Sequence, residues 1–414
     1  METTETMTAR NVISTDLLTP LGAYLRLREP GRASFLLESI EGGRLGLHSF
    51  VGSGAQVVDF AGAETCGEPV VGYLAYDHVS VLEPTVPMPE AGPGMPESRF
   101  VVADELVRFD HGPGTAEVVR GAAESIGPRL ARTLPELAPA SGPSGETRRR
   151  PSADEYETGV RTAQEHIRAG DAFQIVLSQR AERPTSASSL DLYRALRRVN
   201  PSPYMFLLEL DGLALIGSSP ETLVKAEGRR ASLNPIAGTT QPGEGDAARL
   251  LESEKDRAEH VMLVDLGRND LSRVCLPGTV QVERFLEPER FSHVTHLVSE
   301  VAGELRPEVS HFDLLRACFP AGTVSGAPKV RAMQIITELE GYRRGPYAGA
   351  VLYAVPGDTL DACIAIRTIV LHDGVALMQA GAGIVADSDP RAEHEECLRK
   401  LAALEAAITL AESE

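Results

Sequence analysis

The chain has 414 residues, a formal net charge of −19, 43% hydrophobic and 24% charged residues, which is the composition of a folded globular protein with room for two domains or one large one. The acidic balance repels phosphodiester backbones and excludes nucleic acid as a partner, so an anionic substrate would need a local cationic or metal-bearing site. No apolar run approaches the roughly 18 residues that span a bilayer, and no membrane role is expected. The N-terminus METTETMTARN has neither a basic nor an apolar region, so no secretory signal is expected. The five cysteines (Cys66, Cys275, Cys318, Cys363, Cys397) are scattered and lack C-x-x-C spacing. That fits reduced thiols in a cytoplasm and argues against a zinc site or a disulfide framework.

In chain order, the first 130 residues read as short strands broken by turn signals, among them RASFLLES, GYLAYDHV and SRFVVADELVRFD. Residues 131–151 are rich in Pro, Ser, Gly and Ala and read as a linker between an N-terminal region (15–130) and a main region (152–412). A helix follows, with Ser152 as N-cap, Glu155 at the capping-box position and Tyr156, Val160 and Ala163 on one face, running to Gly170. Beyond it, the runs FQIVLSQR, YMFLLEL, LALIGSS, ETLVKAE, RASLNPI, YAGAVLYAV, DACIAIRTIVLH and VALMQAGAGIV read as strands. Helices are expected at Ala247–Asp265, Asp313–Cys318, Lys329–Leu339 and Glu393–Ala411. The pattern predicts an α+β fold of large antiparallel sheets packed with helices, with a smaller N-terminal subregion.

Several constellations carry chemistry. The run FPAGTVSGAPKVRAM (319–333) is a turn of small and hydroxylated residues entering a helix that carries Lys329 and Arg331, a setting that favours an anion. Asp256 and Glu259 are three apart in one acidic helix, and Glu393 and Glu396 repeat that spacing in another. Two such helices could cage a hard divalent cation, although solvated helix faces have the same pattern. The string QAGAGIVADS (379–388) follows a strand and offers closely spaced amides, without the G-x-G-x-x-G arrangement of a dinucleotide site. Arg367, in the strand-like AIRT, and Lys400 could pair with carboxylates. His296 and Glu221 are candidate proton-transfer groups, and equally suit a buried histidine and a turn cap.

Taken together, these strings resemble the chorismate-utilising enzymes, most closely the large subunit of anthranilate synthase. At least nine motifs fall in order between Ser152 and Leu401: GDAFQIVLSQR, NPSPYMF, IGSSPE, NPIAGT, AEHVMLVDLGRNDL, HLVSEVAGEL, FPAGTVSGAPKVRAM, RRGPYAGAV, AIRT and AGAGIVADSDP-x-x-E. A weaker N-terminal match is carried by SFLLESIEGG, HSFVG and GYLAYDHV. The resemblance implies a lyase that needs Mg²⁺, with Glu259 and Glu396 as direct metal ligands and Asp256 and Glu393 holding metal-bound waters. It implies substrate contacts from Thr323, Tyr347, Arg367, the amides of Gly381, Ala382 and Gly383, and Lys400. Glu221 would be the general acid assisting loss of the C4 hydroxyl, which requires a raised pKa. His296 would aid proton movement or pyruvate elimination.

The choice of reaction rests on two positions. Relatives that add water place a Lys base where this chain has Gln174, and relatives that form 4-amino-4-deoxychorismate often carry Lys where this chain has Ala237 in PIAGT. Neither Gln nor Ala can play those parts, so the resemblance implies amination of chorismate at C2 by ammonia, then pyruvate loss to give anthranilate, the first step of tryptophan biosynthesis. An aminodeoxyisochorismate or 4-amino-4-deoxychorismate synthase is the alternative. No cysteine sits in a nucleophile elbow, so a separate glutamine amidotransferase subunit is expected to supply ammonia. Ser39, with Pro203, Tyr204 and Met205, matches segments that bind feedback tryptophan. Leu47–His48 and Asn234 depart from the family pattern, which usually has Arg-Tyr and Arg there.

Overall fold

The computed structural model describes residues 12–39, 48–134, 144–240, 243, 245–290 and 295–413. Among them, two large sheets form in which every strand pair is antiparallel. The first sheet runs Val12–Ser14, Thr115–Arg120, Glu105–Asp110, His48–Gly54, Ala33–Glu38, Tyr204–Leu210, Leu213–Ser219, Thr368–His372, Val375–Ile384, Gln174–Pro184 and Gly326–Ala327. Arg148–Arg150 also pairs with Gln174–Pro184, so the end of the expected linker is a strand; residues 135–143 of that linker lie outside the described residues. The second sheet runs Ile236–Thr240, Thr295–Glu304, Arg230–Leu233, Thr222–Glu227, Thr359–Ile364, Ala350–Val355, Val70–Leu74, Ser98–Val102 and Gln56–Val58, with Gln281–Arg290 paired to Thr295–Glu304. Strands from either side of residues 131–151 thus enter both sheets.

The period of two along the strands sorts the core into layers. On Tyr204–Leu210, Phe206 and Leu208 pack with Val71, Tyr73 and Val351 of the other sheet, while Met205 and Leu207 pack with Leu196 and Leu404 of helices. The outer face of the second sheet buries Leu352 and Leu360 with Leu271, Leu314 and Met333 of its own helices. Two sheets face each other and helices cover both outer faces, as the α+β expectation requires. Among the described residues, no helix is long and apolar enough to cross a membrane.

Local signals explain most element ends. The Ser152 hydroxyl accepts from the Glu155 amide and the Glu155 carboxylate from the Ser152 amide, a capping box at the start of Ala153–Arg168, and Tyr156, Val160 and Ala163 lie on its buried face. The helix expected at Ala247–Asp265 is two helices, Asp246–Glu252 and Glu254–Ser272, because the Ser253 hydroxyl accepts from the Asp256 amide and caps a new start. DACIAIRTIVLH is also two strands, Thr359–Ile364 and Thr368–His372, one in each sheet.

Candidate active site

The site begins where the chain changes sheet. Leu213–Ser219 belongs to the first sheet and Thr222–Glu227 to the second, so Pro220 and Glu221 form one crossover. Ala365, Ile366 and Arg367 form another, and Arg367 is not in a strand as AIRT suggested: its φ is +49°, a left-handed turn between two strands. The crossovers are stitched together, with the Ser218 amide donating to the Arg367 carbonyl at 3.1 Å and the Ile364 amide to the Glu221 carbonyl at 3.0 Å. Ala365 and the Ala348–Gly349 backbone exchange two further bonds at 2.9 Å, which brings the Tyr347 segment to the same place.

Glu221 is enclosed there, and burial raises its carboxyl from 4.5 to about 7. Thr323, Lys400 and Arg367 each pull it back down, and Glu259 pushes it up, so all four surround it. The buried Thr323 hydroxyl approaches Glu221 without a hydrogen bond of normal geometry. His296 lies on Thr295–Glu304, the strand paired with Ile236–Thr240, and its Nδ1 is 2.8 Å from the Gly238 carbonyl. That carbonyl is an acceptor only, so Nδ1 carries the proton and Nε2 is the basic nitrogen of the neutral ring. Burial lowers the His296 pKa, the Gly238 bond raises it in part, and Arg367 lowers it further.

Residues 379–384 of the glycine string lie inside the strand Val375–Ile384, as the strand-like run VALMQAGAGIV suggests, and only residues 385–388 follow it; this changes which amides are available. Opposite it, the Ser178 amide donates to Glu340 Oε1 (2.9 Å) and the Val176 amide to the Ser325 carbonyl (3.0 Å), both outside the ladder. Ser178↔Gly381 and Val176↔Gly383 are therefore the non-hydrogen-bonded pairs, and Leu177↔Ala382 carries the ladder bonds. The Ala382 amide is spent; those of Gly381 and Gly383 point to the flank that is open beyond Met378, where pairing with Thr368–His372 stops. Lys400 Nζ donates to the Gly381 carbonyl at 2.7 Å on that flank. A side chain at Gly381 would meet the Leu177 carbonyl at 2.9 Å, whereas one at Gly383 would displace only the Gln174 side chain. A Cβ on Gly381 would lie 2.8 Å from the Tyr347 hydroxyl, and one on Gly383 would lie 2.5 Å from Gln174 Nε2.

Gln174 is buried and donates to Glu259 Oε1 at 3.2 Å, while its own carbonyl oxygen has no hydrogen-bond partner. Glu396 pairs with Lys400 at 2.8 Å, one turn along Pro390–Ser413. Glu393 is buried on the same helix, and Asp256 lies in the first turn of Glu254–Ser272. Among the described residues no three Asp, Glu, His or Cys side chains gather to hold a metal ion. Glu259 and Glu396 nonetheless offer hard oxygen donors, which suit Mg²⁺ held by two carboxylates with waters and substrate oxygens rather than by a preformed four-carboxylate cage.

Lys329 and Arg331 do not face this site. Lys329 pairs with the buried Asp270 at 2.7 Å and Arg331 with Asp171 at 3.0 Å, so both anchor their helix. Two residues without an expected role matter more. Arg344, fully buried, donates to Glu340 and to the Val324 and Val176 carbonyls, filling the strand edge between Gly326–Ala327 and Arg148–Arg150. Asp77 accepts from the Arg344 and Gly345 amides at 3.0 Å each and holds the Tyr347 loop; burial raises its carboxyl to about 6 against the pull of those amides. Both lie in quoted motifs (RRGPYAGAV and GYLAYDHV), but only burial distinguishes them from surface charges.

An enclosed acid, two cations and two carboxylates thus gather beside a strand whose Gly381 and Gly383 amides point out of the ladder, an arrangement that could hold a small anionic ligand. The chain belongs to the chorismate binding enzyme family, whose profile matches residues 48–406. It is 43% identical to the probable anthranilate synthase component 1 of Schizosaccharomyces pombe over 441 positions, covering 94% of this chain and 90% of that one. It is 44% identical to anthranilate synthase component 1 of Streptomyces coelicolor over 451 positions, covering 96% and 88%. The crystal structure of anthranilate synthase component I from Streptococcus pneumoniae matches with a TM-score of 0.78 at 34% identity, over 95% of this chain and 99% of that one. The menaquinone-specific isochorismate synthase of Escherichia coli, at 20% identity and a TM-score of 0.76, shares the fold.

Proposed function

We propose that this chain is the chorismate-converting component of an anthranilate synthase, adding ammonia at C2 of chorismate and eliminating pyruvate to give anthranilate. The observation that carries the chemistry is Glu221, whose carboxyl titrates near 7 inside the crossover and can be protonated at working pH. It would protonate the C4 hydroxyl as that group leaves, so water departs as the C2–N bond forms. In the second stage a proton leaves C2, the bond from C3 to the enolpyruvyl oxygen breaks, and the ring becomes aromatic. His296, neutral and basic at Nε2, is suited to accept a proton. Arg367 would take the enolpyruvyl carboxylate, and Tyr347, Thr323, Lys400 and the Gly381 and Gly383 amides the rest of the substrate.

Mg²⁺ bound by Glu259 and Glu396, with Asp256 and Glu393 behind them, would neutralise the ring carboxylate. Gln174 supports ammonia over water, because an amide cannot serve as a base. Ala237, a buried strand residue paired with Leu297, supports direct amination because it offers no nucleophile. A glutamine amidotransferase would supply ammonia, in keeping with the relatives' designation as component 1. Tryptophan is the proposed inhibitor: a cleft lies between the paired strands Ala33–Glu38 and Tyr204–Leu210 of the first sheet and Ala350–Val355 and Thr359–Ile364 of the second, lined by Ser39, Pro203, Tyr204 and Met205, with Ser39 Oγ bonded to the Pro203 carbonyl at 3.0 Å. Leu47 lies outside the described residues; His48 lines the cleft. Incubating the protein with chorismate, Mg²⁺ and ammonium tests the reading. Anthranilate is the expected product, and an amino-cyclohexadiene that keeps its pyruvyl ether, or a 4-amino product, would refute it.

A further inference from the structure

The sheet face that carries the site does not end at Tyr347. Along Gln174–Pro184, Ile175 and Leu177 bury against helices together with Ala382 and Ile384, so Gln174, Val176, Ser178, Arg180 and Glu182 share the opposite face. Arg180 lies two residues beyond Ser178, about 7 Å along the strand, opposite Gln379. A half-open cleft occupies this stretch, bounded by Met95, Tyr342, Leu377 and Met378, with Tyr347 as the wall it shares with the candidate active site.

The cations of the cleft are not equivalent. Arg344 is fully engaged as described, and Arg343 donates to the Pro89 carbonyl and to Glu97. The Arg180 side chain donates no hydrogen bond among the described residues, and its one ion pair is the long contact to Glu182, which also lines the cleft. Its guanidinium stacks on the Tyr342 ring at 3.2 Å from the centroid, and its Nε, 3.7 Å from Glu182 Oε1, is buried without a hydrogen-bond partner. A stacked guanidinium beside apolar walls is a receptor for a carboxylate on a flat apolar body. We propose that this cleft is a second ligand site, distinct from the substrate site, that takes a small flat monocarboxylate through Arg180. Both products expected from the proposed reaction, anthranilate and pyruvate, have that chemistry, and in this respect the inference rests on that reading. An occupant would press on Tyr347, whose hydroxyl lies against Gly381, and would slow turnover without displacing substrate.

Calorimetric titration of the whole protein with anthranilate and, separately, pyruvate tests the site without needing turnover. The expected result is saturable binding of at least one of them that persists when chorismate is present without ammonia. Arg180→Met should weaken it at least tenfold, and Met95→Trp, which fills the opposite wall, should do the same if the first variant folds poorly. Chorismate turnover by Arg180→Met should stay within about threefold of the parent. Binding of neither probe, displacement of the probe by chorismate, or less than twofold change in both variants would overturn the proposal. A protein that makes a different product yet binds a probe through Arg180 would refute the proposed function and leave this site standing.

Discussion

Replacing Glu221 with Gln separates the electrostatic cost of the acid from its chemistry. In the folded protein its carboxyl sits at about 7 against an ordinary 4.5, chiefly through burial. At about 1.36 kcal/mol per pH unit, holding the carboxylate ionised in the fold costs about 3 kcal/mol. Because the folded value is raised, the cost is absent below about pH 4.5, where both states are protonated. It grows between 4.5 and 7 and is constant above. Glu221→Gln should therefore match the parent in urea unfolding near pH 4.5 and exceed it by up to about 3 kcal/mol at pH 8. The same variant should lose about 10²- to 10⁴-fold in kcat, the range of a general acid, while chorismate binding changes little. A stability difference that does not vary with pH would refute the burial reasoning, and retained turnover would remove Glu221 from the chemistry.

Three further outcomes are expected. Glu259→Gln should abolish turnover and weaken Mg²⁺-dependent chorismate binding; activity at parental Mg²⁺ would exclude Glu259 from the metal site. Gly383→Ala places a methyl group 2.5 Å from Gln174 Nε2 and should push that amide off Glu259. The chorismate KM is expected to rise at least tenfold with little loss of thermal stability, and an unchanged KM would show that the strand face does not contact substrate. Ser39→Phe fills the cleft beside Pro203 and Tyr204 and should raise the tryptophan concentration for half-inhibition at least tenfold at unchanged kcat; equal sensitivity would place the inhibitor elsewhere.

The strands and helices were legible wherever periodicity ran uninterrupted, as in YMFLLEL, and wherever a cap was explicit, as at Ser152. What stayed hidden was tertiary. AIRT reads as one strand because Ile and Thr favour strands, yet a single left-handed residue at Arg367 sends the chain to the other sheet. VALMQAGAGIV reads as a strand with closely spaced glycine amides, and only its pairing with Gln174–Pro184 shows that alternate amides are consumed. Lys329 and Arg331 looked available because their partners, Asp270 and Asp171, are 59 and 160 residues away. The candidate residues themselves came through family motifs, since no local pattern marks Glu221, a lone acid after Ser-Ser-Pro.

The arrangement around Glu221 has a consequence for how substrate and acid are coupled. Lys400 and Arg367 lower the Glu221 pKa in the ligand-free protein. If these two cations receive the carboxylates of chorismate, their field at Glu221 is largely neutralised, and the bound dianion adds a field of the opposite sign. Substrate would then raise the pKa of the acid that must be protonated, so that binding arms the proton donor. The alkaline limb of the pH profile of kcat, which reports the complex, should lie at higher pH than that of kcat/KM, which reports the free enzyme. Measured at fixed Mg²⁺ and fixed free ammonia, turnover should persist to higher pH at saturating chorismate than at trace chorismate. Coincident limbs would mean that Arg367 and Lys400 are not discharged by substrate, and a reversed order would require the metal field to dominate at Glu221.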